Sequence, residues 1–256
     1  MERPTFENEK LQQALGAFQA FKETLGKEGI GRLAEKSLHG VLKFYIHPDS
    51  AFHEVTLPIG KVADVFDGER IYEIQTGNYA ALQKKLPRIL CDYPVTVVCP
   101  LVRERYLVTV DTENGEVIKE RKSPLKGSMC DALVPLFYLD AFLDHPNFVV
   151  CFLLFDVTDY RTTEYYRHGK KRTKKLDRVP RQIVCTWKAT KREDYLKLIP
   201  ADLPETFTAA QFYKASGLRG RNGAVALKLL RECSLVHQIG KQGNANLYTI
   251  NENCIL

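Results

Sequence analysis

Residues 61–75, KVADVFDGERIYEIQ, set carboxylates inside a segment whose alternation otherwise calls for burial. That conflict narrows what the chain can fold into. Asp67-Gly68 is a strong hairpin signal. With those two residues at the centre of the turn, Phe66 faces Glu69, Asp64 faces Ile71 and Val62 faces Glu73. Strand alternation then sends Asp64, Glu73 and Gln75 to one side, with Asp64 diagonal to Glu73. Val62, Phe66 and Ile71 share that side, while Ala63, Val65, Tyr72 and Ile74 occupy the other, so neither face reads as fully wet. A carboxylate in such company costs several kcal/mol unless it is paired, protonated or bound to a cation. Magnesium or manganese, which take hard oxygen ligands, would resolve the conflict. The competing reading is a solvated hairpin edge with inert charges.

The neighbouring segments give the hairpin a setting. Residues 30–46 read as a helix with Leu38, Val41, Leu42 and Tyr45 on one face and Glu35 and His39 one turn apart on another. A strand over 52–57 follows, then the hairpin. After Thr76-Gly77-Asn78 comes a helix over 79–90 carrying Lys84 and Lys85, then an apolar strand over 95–101. The order is helix, three strands, helix, strand.

On that order and on Glu35, Asp64 and Glu73-Ile74-Gln75, residues 29–101 resemble the PD-(D/E)XK, or restriction-endonuclease-like, nuclease superfamily. The resemblance implies an α/β fold with a mixed sheet flanked by helices. It also implies metal-dependent phosphodiester hydrolysis, with Asp64 and Glu73 as ligands of magnesium or manganese, Glu35 as a ligand directly or through water, and the Ile74 carbonyl as a further one. Gln75 stands where the family usually has Lys. Gln75 would position water, and Lys84 or Lys85 would supply positive charge.

The C-terminal end carries a second signal. Residues 207–217 read as a Thr-capped helix ending at Gly217, followed by a longer helix to about Cys233. Two alternating strands, 235–239 and 246–250, are joined by a polar loop over 240–245. This pattern resembles a winged helix-turn-helix domain. The resemblance implies that the second helix, with Arg219, Arg221, Asn222 and Lys228, enters a major groove, and that a wing with Lys241, Gln242 and Asn244 meets phosphate. A winged helix used for protein contacts is the alternative.

Charge agrees with a polyanionic partner: 37 Lys and Arg stand against 31 Asp and Glu, a net charge of +6. Lys170, Lys171, Arg172, Lys174 and Lys175 form a cationic run in a segment, 165–181, that reads as a protruding loop; 119–126 form a smaller run. The region between reads as strands over 105–111, 116–119, 147–157 and 182–187, with a buried helix over 129–143 and a short one over 191–198. Pro200 and Pro204 punctuate a link, giving a nuclease-like domain over 1–200 and a winged helix over 201–256. The longest apolar run, 148–155, is too short to span a bilayer. The seven cysteines are dispersed without a CxxC pair, so neither a disulfide framework nor a zinc site is read. The expectation is a cytoplasmic, metal-dependent nuclease acting on double-stranded DNA, with a homodimer as one option. A non-catalytic DNA-binding regulator and a structure-guided RNA nuclease are the alternatives.

Overall fold

The two most continuously apolar stretches, 95–101 and 148–155, form the centre of the molecule because strands covered on both faces have no polar side to show. They begin β4 (Val95–Val110) and β6 (Phe148–Tyr165), which pair in parallel. The computed structural model describes residues 5–25, 36–111, 114–165 and 171–251. A mixed sheet runs in the order β1 (His53–Thr56), β2 (Val62–Phe66), β3 (Ile71–Ile74), β4, β6, β7 (Lys171–Ala189), and β5 (Val117–Lys122) pairs with the distal half of β4. Successive pairs along that order are antiparallel, antiparallel, parallel, parallel and antiparallel.

Alternation along β4 and β6 divides the core in two. On one face Val97, Cys99, Val150, Phe152 and Leu154 meet α3 (Tyr79–Leu90), the crossover from β3 to β4, and α4 (Leu133–Leu139). On the other, Val98, Leu153, Phe155 and Val157 meet α1 (Thr5–Leu25) and α2 (Ser37–Ile46). The two helices approach closely at Gly40, where a Cβ would lie 2.2 Å from the Phe18 ring. α1 also covers the edge strand: the Asn8 side chain donates to the Ile183 carbonyl at 2.9 Å and accepts its N–H at 2.7 Å.

The C-terminal part is a three-stranded antiparallel sheet, β8 (Thr206–Thr208), β10 (Ala245–Ile250) and β9 (Val236–Gln242), with α5 (Ala209–Ser216) and α6 (Arg221–Glu232). Thr208 and Gln211 form a reciprocal cap on α5, and Gly217 ends it at φ +72°. Its core, including Phe207, Phe212, Leu230 and Tyr248, is continuous with Leu133, Leu136 and Leu139 of α4. Asp140 reinforces the junction by accepting from Cys233 Sγ at 3.5 Å, and it is itself held by Arg192 Nε and the Tyr195 hydroxyl, both at 3.1 Å.

Several elements differ from the sequence reading. The helix expected over 129–143 is a 3-10 turn, α4 and a second 3-10 turn; the first break falls where Pro135 has no N–H to donate back to the preceding turn. The polar loop expected over 240–245 shrinks to Gly243-Asn244, with Gly243 at φ +61°. The loop expected over 165–181 is strand wherever it is described: β7 pairs with β6 from Tyr165↔Lys171 onward. Lys170 lies outside the described residues, as does the side chain of Lys171.

A continuous core predicts one cooperative unfolding transition. Leu136→Ala should cost ~2–5 kcal/mol, shifting the urea midpoint equally whether followed by Trp187 fluorescence or by far-ultraviolet circular dichroism.

Candidate functional site

The site forms where β2 and β3 part. The two strands pair only at Val65↔Tyr72 and Phe66↔Ile71. The connection holds four residues, Asp67–Arg70, rather than two, because Asp67 Oδ1 accepts the N–H groups of Glu69 at 2.9 Å and Arg70 at 2.7 Å. This moves the expected register by two positions and preserves its parity. Asp64 therefore falls opposite Glu73 instead of diagonal to it.

Beyond the last pair, a side chain replaces the missing strand. Gln75 N–H donates to the Val98 carbonyl at 2.8 Å, so backbone alternation turns the N–H and C=O of Ile74 the other way, toward β2. Asp64 Oδ2 accepts that Ile74 N–H at 2.7 Å. Glu73 is only 5% exposed, yet both its oxygens accept from Lys85 Nζ at 2.6 Å. Lys85 also donates to the Val62 carbonyl at 2.5 Å, tying α3 to β2. Leu82, Leu86 and Ile89 face the core and leave Lys85 at the margin of the sheet. From the opposite face His39 of α2 brings Nε2 to 3.5 Å from Asp64 Oδ2. One turn further along α2, Lys43 is buried and ion-paired with Glu54 at 2.9 Å.

The two carboxylates behave oppositely. Burial pushes Glu73 up to about 7, the charge of Asp64 adds to the rise, and Lys85 and the Asp64 backbone N–H offset only part of it. Burial also acts on Asp64, but the His39 interaction and the Ile74 N–H outweigh it and hold Asp64 below the ordinary carboxylate value. The site is thus one firmly ionised carboxylate beside one that shares a proton near neutrality.

Two carboxylates and a carbonyl are hard oxygen donors of the kind magnesium takes when water and substrate complete its shell. Among the described residues no group of three or more His, Cys, Asp or Glu gathers into a metal cage. Glu35 lies outside the described residues. Gln75 is half-buried directly after β3, and Lys84 is exposed one position before Lys85.

The other expected residues lie on two further surfaces. Arg172, Lys174 and Lys175 sit on β7, exposed. Arg219, Arg221 and Asn222 are exposed at and before the start of α6; Lys241, Gln242 and Asn244 are exposed around the β9–β10 turn. Lys228 lies 5.1 Å over the Phe137 ring and 3.6 Å from Glu232, so part of its charge is already engaged. Sequence reasoning missed Asp156 and Asp159, buried on β6 and held in bidentate fashion by Arg103 and Arg178. The signal was available: an Asp inside an apolar strand requires a partner.

These features define a mixed α/β protein with a carboxylate pair, Glu73 buried and Asp64 half-buried, at a strand divergence. A family model matches residues 36–190, and the chain belongs to that family, described as Domain of unknown function (DUF8091). The matched stretch holds α2, all seven strands of the large sheet and the carboxylate pair. The chain is also similar to an uncharacterized protein of Treponema pallidum (strain Nichols), at 28% identity over 224 residues that cover 86% of each chain. No solved structure matches. No described helix is long and apolar enough to cross a membrane.

Glu73 binds its proton more tightly folded than unfolded, so it should make the protein lose stability as pH rises from about 4.5 through about 7. Asp64 acts in the other direction, its contribution being lost only as pH falls below 3.8 through its lower native value. Urea titrations near pH 5 and pH 8 should show a component on the order of 2 kcal/mol in the wild type that disappears in Glu73→Gln. An unchanged pH dependence in the variant would place the proton elsewhere.

Proposed function

We propose that the chain is a metal-dependent nuclease of the restriction-endonuclease-like type that hydrolyses phosphodiester bonds in double-stranded DNA. The observation that carries this reading is the meeting of Asp64 and Glu73 at the parting of β2 and β3, with Lys85 delivered onto Glu73 by the crossover helix. The order α2, β1, β2, β3, α3, β4 supports it, because it is the order of elements that the superfamily uses to bring its acidic residues together.

Asp64, Glu73 and the Ile74 carbonyl would hold magnesium or manganese. When bound, such an ion polarises a phosphoryl oxygen and makes a coordinated water more acidic. The protein's own groups do the rest. Lys85 stands where Gln75 cannot, as the ammonium that stabilises charge developing on the phosphate. Gln75 orients the attacking water. His39 fixes the Asp64 carboxylate from the far side. Arg221 and Asn222 at the start of α6 suit base edges and phosphate in a major groove, and Lys241 and Asn244 suit a wing. A nucleic-acid substrate of this kind implies a cytoplasmic protein.

One observation favours a second reading. Lys85 already neutralises Glu73 in the protein alone, as it would in a non-catalytic DNA-binding scaffold.

Labelled duplex DNA and structured RNA, incubated with magnesium, manganese or chelator, separate these readings. Cation-dependent cutting is expected, and Glu73→Ala, Asp64→Ala and Lys85→Ala should each slow it by about a hundredfold or more, the scale on which loss of one preorganised electrostatic contact acts. Binding without cutting under every condition would leave the scaffold reading in place. Cutting confined to RNA would change the substrate and keep the chemistry.

A further inference from the structure

β3 stops at Ile74, level with Val98, but β4 runs on to Val110 and β6 to Tyr165. With β5 and β7 they form an arm that continues past the carboxylate pair. On β6 the odd-numbered residues from Leu153 to Val157 face the α1–α2 layer, and the next two on that side are Asp159 and Arg161. Asp159 is 1% exposed and is gripped by Arg178 through Nε at 2.6 Å and Nη2 at 2.9 Å. Its oxygens are thereby taken up. Two more cations nevertheless crowd against it at longer range, Lys175 at 3.5 Å and Arg161 at 3.7 Å.

One carboxylate cannot balance that charge. Lys36 adds to it: Lys175 is pulled below its ordinary value by burial first and then by the charges of Arg178 and Lys36. The other facing acid, Asp177, is committed to the Ser37 N–H and hydroxyl and to the Arg178 N–H. Arg161, Lys175 and Arg178, with the charge of Lys36 acting on Lys175, thus stand, among the described residues, against two engaged carboxylates. Among the described residues, Arg161 Nε is a buried nitrogen with no hydrogen-bond partner. A buried donor left unpaired carries a desolvation cost that a ligand oxygen removes. Arg161, Lys175 and Arg178 keep 28%, 37% and 23% of their side-chain surface open, so an anion can reach them.

We infer that Arg161, Lys175, Arg178 and Lys36 form a phosphate-binding subsite for nucleic acid, separate from the carboxylate pair and preorganised by Asp159. The first turn of α2 links the two from opposite sides of the helix, a width of ~10–12 Å: Ser37 holds Asp177, and His39, two residues on, touches Asp64. A strand offers one phosphate per ~3.4 Å of duplex axis, so the subsite grips the backbone within a few nucleotides of the bond presented to Asp64 and Glu73. The subsite rests on the nucleic-acid part of the proposed function and does not require hydrolysis.

The test is binding of a fluorescein-labelled duplex to the full chain in chelator, by anisotropy across a salt series. Arg161→Gln and Lys175→Gln are the variants, because neither residue supplies the bidentate bond to Asp159; Lys197→Gln is the control, and thermal melting confirms folding. Each test variant should lower the slope of log K against log salt by about 0.9, the double variant by about twice that, and the control should not change it. Wild-type slope and affinity in folded R161Q and K175Q would overturn the subsite. Duplexes with and without terminal phosphates separate the two sources of ligand: equal losses identify an internal phosphodiester, and a loss confined to phosphorylated ends identifies a terminal phosphate. Magnesium-dependent cutting of the same duplex by wild type and Glu73→Ala, run in parallel, shows a failure of the hydrolytic reading independently of the slope.

Discussion

A buried carboxylate opposite a half-buried one is tolerable only if something positive stands beside them or one keeps its proton, and the structure uses both solutions. Lys85 supplies the charge and Glu73, at about 7, supplies the proton. The surrounding architecture follows from holding that pair in place. The Asp64 carboxylate takes the Ile74 N–H that a strand partner would otherwise accept, so that donor stays paired where β2 and β3 part. α3 must cross from β3 to β4 so that Leu82, Leu86 and Ile89 pack onto the sheet and Lys85 reaches Glu73.

A second constraint is length. β4 and β6 outrun β3 by about a dozen residues, so the same strands that build the core also build the cationic arm. Register irregularities within β4–β6 and β6–β7 fall where the strands leave the core, and bulges of this kind bend and twist a sheet. Asp156 and Asp159 mark the same transition chemically. Each is buried on a strand otherwise rich in Phe, Leu and Val, and each is answered by a bidentate arginine.

Much of this was legible in the sequence. The helix over 79–90, the capped helix after Thr208 and the glycine that ends it were readable because local signals decide them. The shared side of Asp64 and Glu73 was readable because period-two alternation survives a two-residue slip, although the slip itself was hidden in the Asp67 side chain. The strand character of 171–181 was not, since a run of cations looks solvated until its partner strand is known. Lys85 could be named as a source of charge but not as the partner of Glu73, because that contact joins residues on different elements and depends on the helix crossing angle. The Asp159 cluster depends on pairing across β6 and β7, which no local pattern encodes.

On the proposed reading, Asp64 and Glu73 form one coupled site that takes a cation. Carbon-13 detected titration of the side-chain carboxyl groups, with Asp64→Asn to assign the pair, reads it directly. Glu73 should titrate near 7 in the protein alone, drop toward the ordinary carboxylate value when Asp64 is neutralised, and drop likewise on addition of magnesium. A Glu73 that titrates at 4.5 and responds to neither change would contradict the account.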